Sequence, residues 1–464
     1  MIRLHPIVAT RAGEQILSNS LTRSPGEILD ACKPGAMLIA LMLLFALLVV
    51  PPILIDAEGP AALADDMIAA HLPQINFFIE HPSNVLDYPG AVTSLPGHHL
   101  LLAWAARLLR YNVIDSATWP VRLIHAIVCS VGAIGLFLFL LRMQACQHKS
   151  MNVLMAAALW VSVVFSYYFI QSSIYVSTDV PAISLYMMFI YVVIFHSRSI
   201  TAPMITGTAL VLCRQNYAPV LATPFLVKPP EIFSRLLSPQ IVTLIVPALV
   251  FLVYILKFGG LVPPQSWAES SRDIGSLFPQ SVLHTLAYLG LILPVYLLLF
   301  ADEMRVCYGS RINIRAALTL VILVVVLWTL QPSNYDVDSG RWGSIVWTLS
   351  TFGPQWGNHS ALVLFLAALG SLFTVFLGWL AARYWEVRPV VFGMLLYLAF
   401  EMIVPLAYQR YIEPIILMSL ALIAARCVTV SRRRVVLFAM AFGSYGAVGI
   451  LRIYNIVPSA GVIS

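Results

Sequence analysis

The chain has 464 residues, of which 60% are hydrophobic and 10% charged, against about 25% charged in an average soluble domain. That balance excludes a water-soluble globular protein. Apolar runs of about 16–22 residues, enough to cross a hydrocarbon core of roughly 30 Å, point to helical spans and not to the short alternating segments of a membrane β-barrel. The net charge of +6 then reflects loop bias, not nucleic-acid binding.

Residues 1–36 are polar and carry Arg3, Arg11, Arg23 and Lys33 ahead of the first apolar run. No small-residue cleavage site follows that run, so it reads as a retained first span with a cytoplasmic N-terminal segment before it. Residues 37–464 read as one transmembrane domain. The expected spans are 37–55, 122–142, 151–170, 179–197, 199–214, 217–230, 238–257, 281–301, 316–331, 360–382, 389–407, 412–428 and 434–452. That is an all-α, polytopic architecture of about 13 helices, with the C-terminus outside. Most Lys and Arg residues then fall in inside loops, among them Arg142, Arg305, Arg383 and Arg432, as the positive-inside rule requires. Most acids fall outside.

The first outer loop, residues 56–120, is the longest stretch that is not a span. It opens with Asp56 and Glu58 and carries Asp65, Asp66, Asp87 and Tyr88, then Pro96-Gly97-His98-His99. The apolar segment 97–111, closed by Arg107 and Arg110, is too short to span and reads as an interfacial helix. Asp56 is the first candidate for a catalytic base, with Glu58 beside it: a carboxylate held at the outer surface can deprotonate an acceptor hydroxyl. One base is sufficient for inversion, because no second carboxylate need act as nucleophile. The bland reading is two acids ending a helix in water. His98 and His99 are candidates for orienting substrate, although neighbours on a helix point about 100° apart. Asp87 and Tyr88 are further candidates for holding it.

Asp179 stands at the outer start of a span after Ser177-Thr178. It reads either as a second functional acid or as part of a helix N-cap. Arg214, followed by Gln215 and Asn216, is a candidate phosphate grip, with a snorkelling arginine as the bland alternative. Arg410-Tyr411 offers the same chemistry, or a helix pair between Arg410 and Glu413. Arg122 reads as a structural boundary residue. Glu401 falls mid-span and needs a partner or a proton. The six cysteines fall in spans or inside loops, so no disulfide is expected. No zinc spacing, dinucleotide fingerprint or P-loop occurs, so no metal or cofactor is indicated, and an enzyme here would draw an activated substrate from the membrane.

Thr93-Ser94-Leu95-Pro96-Gly97, Tyr175 to Pro181 with Thr178-Asp179, Arg214-Gln215-Asn216, the loop from Gly259 to Phe278-Pro279-Gln280, and Arg410-Tyr411 with Pro414 occur in that order. In that order they resemble motifs of the alpha-1,2-glucosyltransferases that use dolichyl-phosphate glucose to add the terminal glucose of the N-glycan precursor. The resemblance covers most of the chain in outline. It implies a GT-C glycosyltransferase fold, a polyprenyl-phosphate sugar donor, and an acidic motif after the first span, which Asp56 and Glu58 match loosely. Where the family has adjacent Asp-Glu followed by Phe-His, Ala57 here separates the acids, and Arg-Gln-Asn lacks the family's threonine. The expected function is therefore an inverting transfer from a polyprenyl-phosphate sugar to a glycan, lipid-linked saccharide or other hydroxyl, on the periplasmic or luminal face of a bacterial inner or ER membrane. Asp56, Glu58 and Asp179 would serve the chemistry, and Arg214 and Arg410 the donor phosphate. A transporter or flippase of lipid-linked sugars would explain the same spans, although such proteins often show inverted repeats and none is evident.

Overall fold

Thirty residues from Pro25 to Leu54 form the first helix, α1. Ile39, Leu43 and Leu47 repeat every four residues along it and are all more than 60% exposed. Such an apolar stripe suits lipid, not water. The computed structural model describes residues 25–55, 66–88, 94–110, 118–146, 152–196, 199–227, 239–263, 278–333, 345–351, 353–401, 409–429 and 431–453. Asp56, Glu58 and Asp65 lie outside the described residues.

After α1 come a π-helical turn (Met67–His71), α2 (Leu72–Glu80), α3 (Gly97–Leu108), α4 (Trp119–Ala145), α5 (Val153–Val164), α6 (Tyr167–Ile174), α7 (Asp179–Phe195) and α8 (Thr201–Cys213). A 3-10 helix (Gln215–Ala222), α9 (Thr223–Val227) and α10 (Pro239–Phe258) follow. The remaining helices are α11 (Gln280–Tyr308), α12 (Arg311–Leu330), α13 (Ile345–Ser350), α14 (Ala361–Arg383), α15 (Arg388–Phe400), α16 (Gln409–Cys427) and α17 (Arg432–Ile453). A two-stranded antiparallel hairpin, Gln355–Trp356 against His359–Ser360, precedes α14.

Among the described residues, five helices are long and apolar enough to cross a membrane: Lys33–Leu54, α4, α11, α12 and α14. A sixth crossing arises if α5 and α6, bent by 65° at Phe165-Ser166, count as one. The expected span at 151–170 falls on this bent pair. The expected span at 217–230 is corrected over its described part, 217–227, which consists of a 3-10 helix and the five-residue α9. Pro219 and Pro224 each remove a backbone donor, which a continuous α-helix cannot spare. Within the segment 97–111, residues Gly97–Leu108 form a short helix with one buried face.

The bundle is held by close helix crossings. Gly290 of α11 and Gly370 of α14 face each other's helix backbone so closely that a Cβ on either would overlap a carbonyl, the small-residue contact by which helices associate in lipid. Tyr296, Phe300, Phe373, Phe438 and Phe442 pack as an aromatic cluster beside that crossing. Helix α16 runs through the middle, buried along nearly its whole length, and carries Arg410 and Tyr411 at its start.

Candidate active site

The site is assembled where several helices stop short or break. Helix α8 ends at Cys213, and Arg214 is extended (φ −157°, ψ 114°) before the 3-10 helix begins. Helix α3 starts on the same spot. A Cβ on Gly97 would lie 2.9 Å from the carbonyl carbon and oxygen of Leu212, so the close approach of α3 to the end of α8 requires glycine there. The Leu95 amide donates to Gln215 Oε1 (3.2 Å), and Gln215 Nε2 donates to the Leu261 carbonyl (3.3 Å). Gln215 thereby ties the 94–97 turn, the break at Arg214 and the loop after α10 to one another.

Arg214 is buried and ion-paired with buried Asp179. It also donates to Thr178 Oγ1 (3.4 Å), and its guanidinium lies 4.2 Å over the Tyr411 ring. Asp179 thus reaches a cation across the helix start, while Thr178, at the cap position, makes no capping hydrogen bond through its side chain. Arg410 occupies the same aromatic ring from its own side. Its guanidinium stands 4.9 Å from the Tyr411 ring centre, donates to Asp66 Oδ2 (2.6 Å) and donates to the Tyr411 hydroxyl (2.9 Å). The helix pair between Arg410 and Glu413 does not form. Glu413 instead accepts from Gln409 (2.5 Å), the residue four before it, and from Tyr445 (2.9 Å), as the i, i+4 geometry favours. Asn216 donates to Glu401 Oε1 (3.1 Å), and Glu401 is fully buried at the end of α15. Arg122 donates to the Ile174 carbonyl (3.0 Å) and lies over Tyr175.

The two neighbouring histidines diverge to different partners. His98 Nε2 meets His125 Nδ1 at 3.0 Å, and His125 Nε2 reaches the Ser172 carbonyl at 2.7 Å. A carbonyl only accepts, so His125 carries its proton on Nε2, its Nδ1 accepts, and His98 donates from Nε2. His99 Nε2 meets His71 Nδ1 at 2.8 Å with the rings stacked. Burial is the main force that drives the His71 pKa down to about 3, with the positive fields of Arg410 and Arg214 adding to it. Burial also holds His98 and His99 well below the ordinary histidine range. All three rings are neutral at pH 7.

Asp87 and Tyr88 stand apart from this group. Asp87 is exposed and ion-paired with Lys257. The Tyr88 hydroxyl donates to the Ser94 carbonyl (3.3 Å), while its ring packs on Phe78 and Phe258. Together they tether the outer loop to α10. Sequence reasoning passed over Asp66, His71 and His125. The Asp65-Asp66 pair, with a histidine five residues after Asp66, was the available signal for the first two. A π-helical turn joins them, and such turns recur at functional sites. Among the described residues, no group of three or more His, Cys, Asp or Glu is arranged to hold a metal ion.

No protein-family model matches the chain, and no curated protein matches it. Among solved structures it is similar to the crystal structure of ArnT from Cupriavidus metallidurans in the apo state. The identity is 11%, over 92% of this chain and 78% of that one, with a TM-score of 0.34. A TM-score of that size falls short of a shared fold.

Proposed function

We propose that the chain is a GT-C-type, inverting membrane glycosyltransferase that moves a sugar from a polyprenyl phosphate to an acceptor hydroxyl. One observation carries the reading. Three motifs, at Thr178-Asp179, Arg214-Gln215-Asn216 and Arg410-Tyr411, are far apart in sequence yet meet around one aromatic ring, with two guanidiniums and two carboxylates beside it, and a fourth, Leu95-Gly97, is tied to them through Gln215. Buried ionisable groups at that density in a membrane protein favour a substrate site over a structural one.

The acceptor oxygen attacks the anomeric carbon as its proton passes to a carboxylate. The bond from carbon to phosphate oxygen breaks with its electron pair leaving on the phosphate, whose charge goes from −1 to −2. Arg214 and Arg410 meet that developing charge. For the base we assign Asp66, whose carboxylate is already beside Arg410. Asp56 and Glu58 remain the competing assignment. Asp179 orients Arg214 and takes no proton. An apolar groove between α11 and α17 is lined by Leu291, Ile292, Val295, Ala441, Phe442 and Tyr445, and the Tyr445 hydroxyl donates to Glu413. We assign this groove to the first isoprene units of the donor.

A second reading, a transporter or flippase of lipid-linked sugars, is favoured by the interrupted helices at Phe165-Ser166 and Arg214, since transporters form their sites at such breaks. The test is to purify the protein in detergent and incubate it with a panel of polyprenyl-phosphate sugars, detecting free polyprenyl phosphate by mass spectrometry. Release from one sugar, lost in Asp66→Asn and kept in Asp56→Asn, supports the enzyme and its base. The reverse pattern moves the base to Asp56. Tight binding with no turnover under any acceptor offered favours the transporter.

A further inference from the structure

Carboxylates in the site already outnumber guanidiniums before any anion arrives. Arg214 faces Asp179 and, through the Asn216 contact, the region of Glu401, while Arg410 faces Asp66. Two guanidiniums therefore meet three carboxylates. A phosphate adds one negative charge as donor and two as leaving group, in a place where Arg214 and Asp179 are less than a tenth exposed. Added charge in such surroundings costs several kcal/mol unless it is compensated.

The nearest uncharged bases are the stacked imidazoles of His71 and His99. His71 projects from the turn that begins beside Asp66. On an ordinary α-helix two residues five apart would point about 140° away from each other, and the wider π turn brings them closer to one face. His71 Nδ1 and His99 Nε2 are 2.8 Å apart, a hydrogen bond that holds one proton between the two neutral rings and leaves one outer nitrogen of the pair bare. His99 is fully buried, and its Nδ1 has no hydrogen-bond partner. The groups facing this pair are Arg410 and Arg214 from α16 and the end of α8, His98 from α3, and His125 from α4. Burial is the main force that keeps the pair neutral in the empty site, and the guanidinium fields of Arg410 and Arg214 add to it at His71.

We propose that the His71–His99 pair takes up a proton when a prenyl phosphodiester binds between Arg214 and Arg410, so that anion binding at this site is coupled to protonation of a histidine pair. The inference rests on the phosphate grip proposed above. When the phosphate lies between the guanidiniums their field at His71 is cancelled, and the added proton offsets the added charge. The proton comes from solvent and goes to the outer nitrogen of the pair that is bare, His71 Nε2 or His99 Nδ1, while the proton already between Nδ1 of His71 and Nε2 of His99 stays in that hydrogen bond, and no bond to substrate is made or broken.

The probe is farnesyl methyl phosphate, a diester whose one acidic proton is lost far below the working pH, so the ligand itself does not titrate. Titration calorimetry of the detergent-purified full chain at pH 6.5, in buffers of different ionisation enthalpy, counts protons exchanged. Net uptake approaching one proton per diester is expected, with affinity weakening by up to about tenfold for each pH unit raised. His71→Gln and His99→Gln should each bind the diester more weakly and with no net uptake. Wild-type binding without uptake overturns the proposal and leaves the phosphate grip standing, as does uptake that persists in both variants, since the proton then lands on Asp66 or Glu401. Absence of wild-type binding overturns the grip as well. If neither variant folds, the pH dependence of wild-type affinity decides, and a flat profile from pH 6 to 8 overturns the coupling.

Discussion

Replacing Asp179 by Asn and Asp66 by Asn removes one carboxylate from each of two arginine pairs, and burial separates their consequences. In the first pair the side chains of Arg214 and Asp179 are 9% and 6% exposed, and in the second Arg410 and Asp66 are 17% and 33% exposed. Breaking a buried pair strands a charge that water cannot reach, at a cost of about 3–5 kcal/mol. Thr178 Oγ1 and the Tyr411 ring offset part of that for Arg214, which puts the expected loss near the lower end, about 3 kcal/mol. At Asp66 solvent screens much of the interaction, and the loss is about 1 kcal/mol or less. Thermal unfolding of the purified variants in one detergent, followed by size-exclusion of the surviving fraction, ranks them directly. Asp179→Asn should melt well below wild type, and Asp66→Asn close to it while losing sugar transfer. Equal melting of the two variants would refute the assignment of Asp179 to holding Arg214 and of Asp66 to the chemistry.

Tyr411→Phe keeps the ring beneath both guanidiniums and loses the hydroxyl bonded to Arg410, whereas Tyr411→Ala loses both. Donor KM should rise modestly in the first and at least about tenfold in the second, since an arginine–aromatic contact of about 1–2 kcal/mol adds to the lost hydrogen bond. Gly97→Ala would bring a methyl to 2.9 Å from the Leu212 carbonyl. Parting α3 from α8 should cost about 1–3 kcal/mol, lowering both melting temperature and transfer. The pKa of His71 is lowered on folding, from 6.5 to about 3, so the unfolded chain binds more protons between those values. Thermal stability should therefore be full above about pH 6.5 and fall progressively as the pH drops towards 3. His71→Gln should flatten that slope, which melting curves across the range would reveal.

Much of the fold was legible because apolar runs of span length have few other uses. Membrane-crossing helices stand at 119–145, 280–308 and 361–383, overlapping the runs expected from composition. Breaks were harder to read. Nothing in the apolar run 151–170 marks the 65° bend after Val164, because Phe165-Ser166 is compatible with a helix interior and the bend is set by packing. Gly446 of α17 approaches the Phe165 carbonyl closely enough that a Cβ would overlap it. Arg214 and Arg410 stood out because a charge in an apolar chain is conspicuous. Asp66 did not, because in an outer loop full of acids only a partner 344 residues away distinguishes it. Histidine pairing was equally invisible, since His71, His98, His99 and His125 come from three separate elements.

The helix breaks and the arginines belong to one physical solution. An unbroken helix spends its backbone donors on itself and presents only side chains at its flank. Ending α8 at Cys213 leaves Arg214 extended, which turns its guanidinium inwards across Tyr411 to the start of α16, where Arg410 already stands. Gln215 and Asn216, directly after the break, are each tied to another segment: Gln215 to Leu95 and Leu261, and Asn216 to Glu401. Those amides are therefore occupied in holding the break open, and the phosphate chemistry falls to the arginines. Substituting Gln215 should for that reason disturb the position of α3 and the loop after α10 before it changes any contact with a donor. Its signature would be lost stability with the donor KM of the surviving fraction unchanged. A Gln215→Ala variant that folded like wild type but bound donor poorly would show the amide to be part of the grip after all.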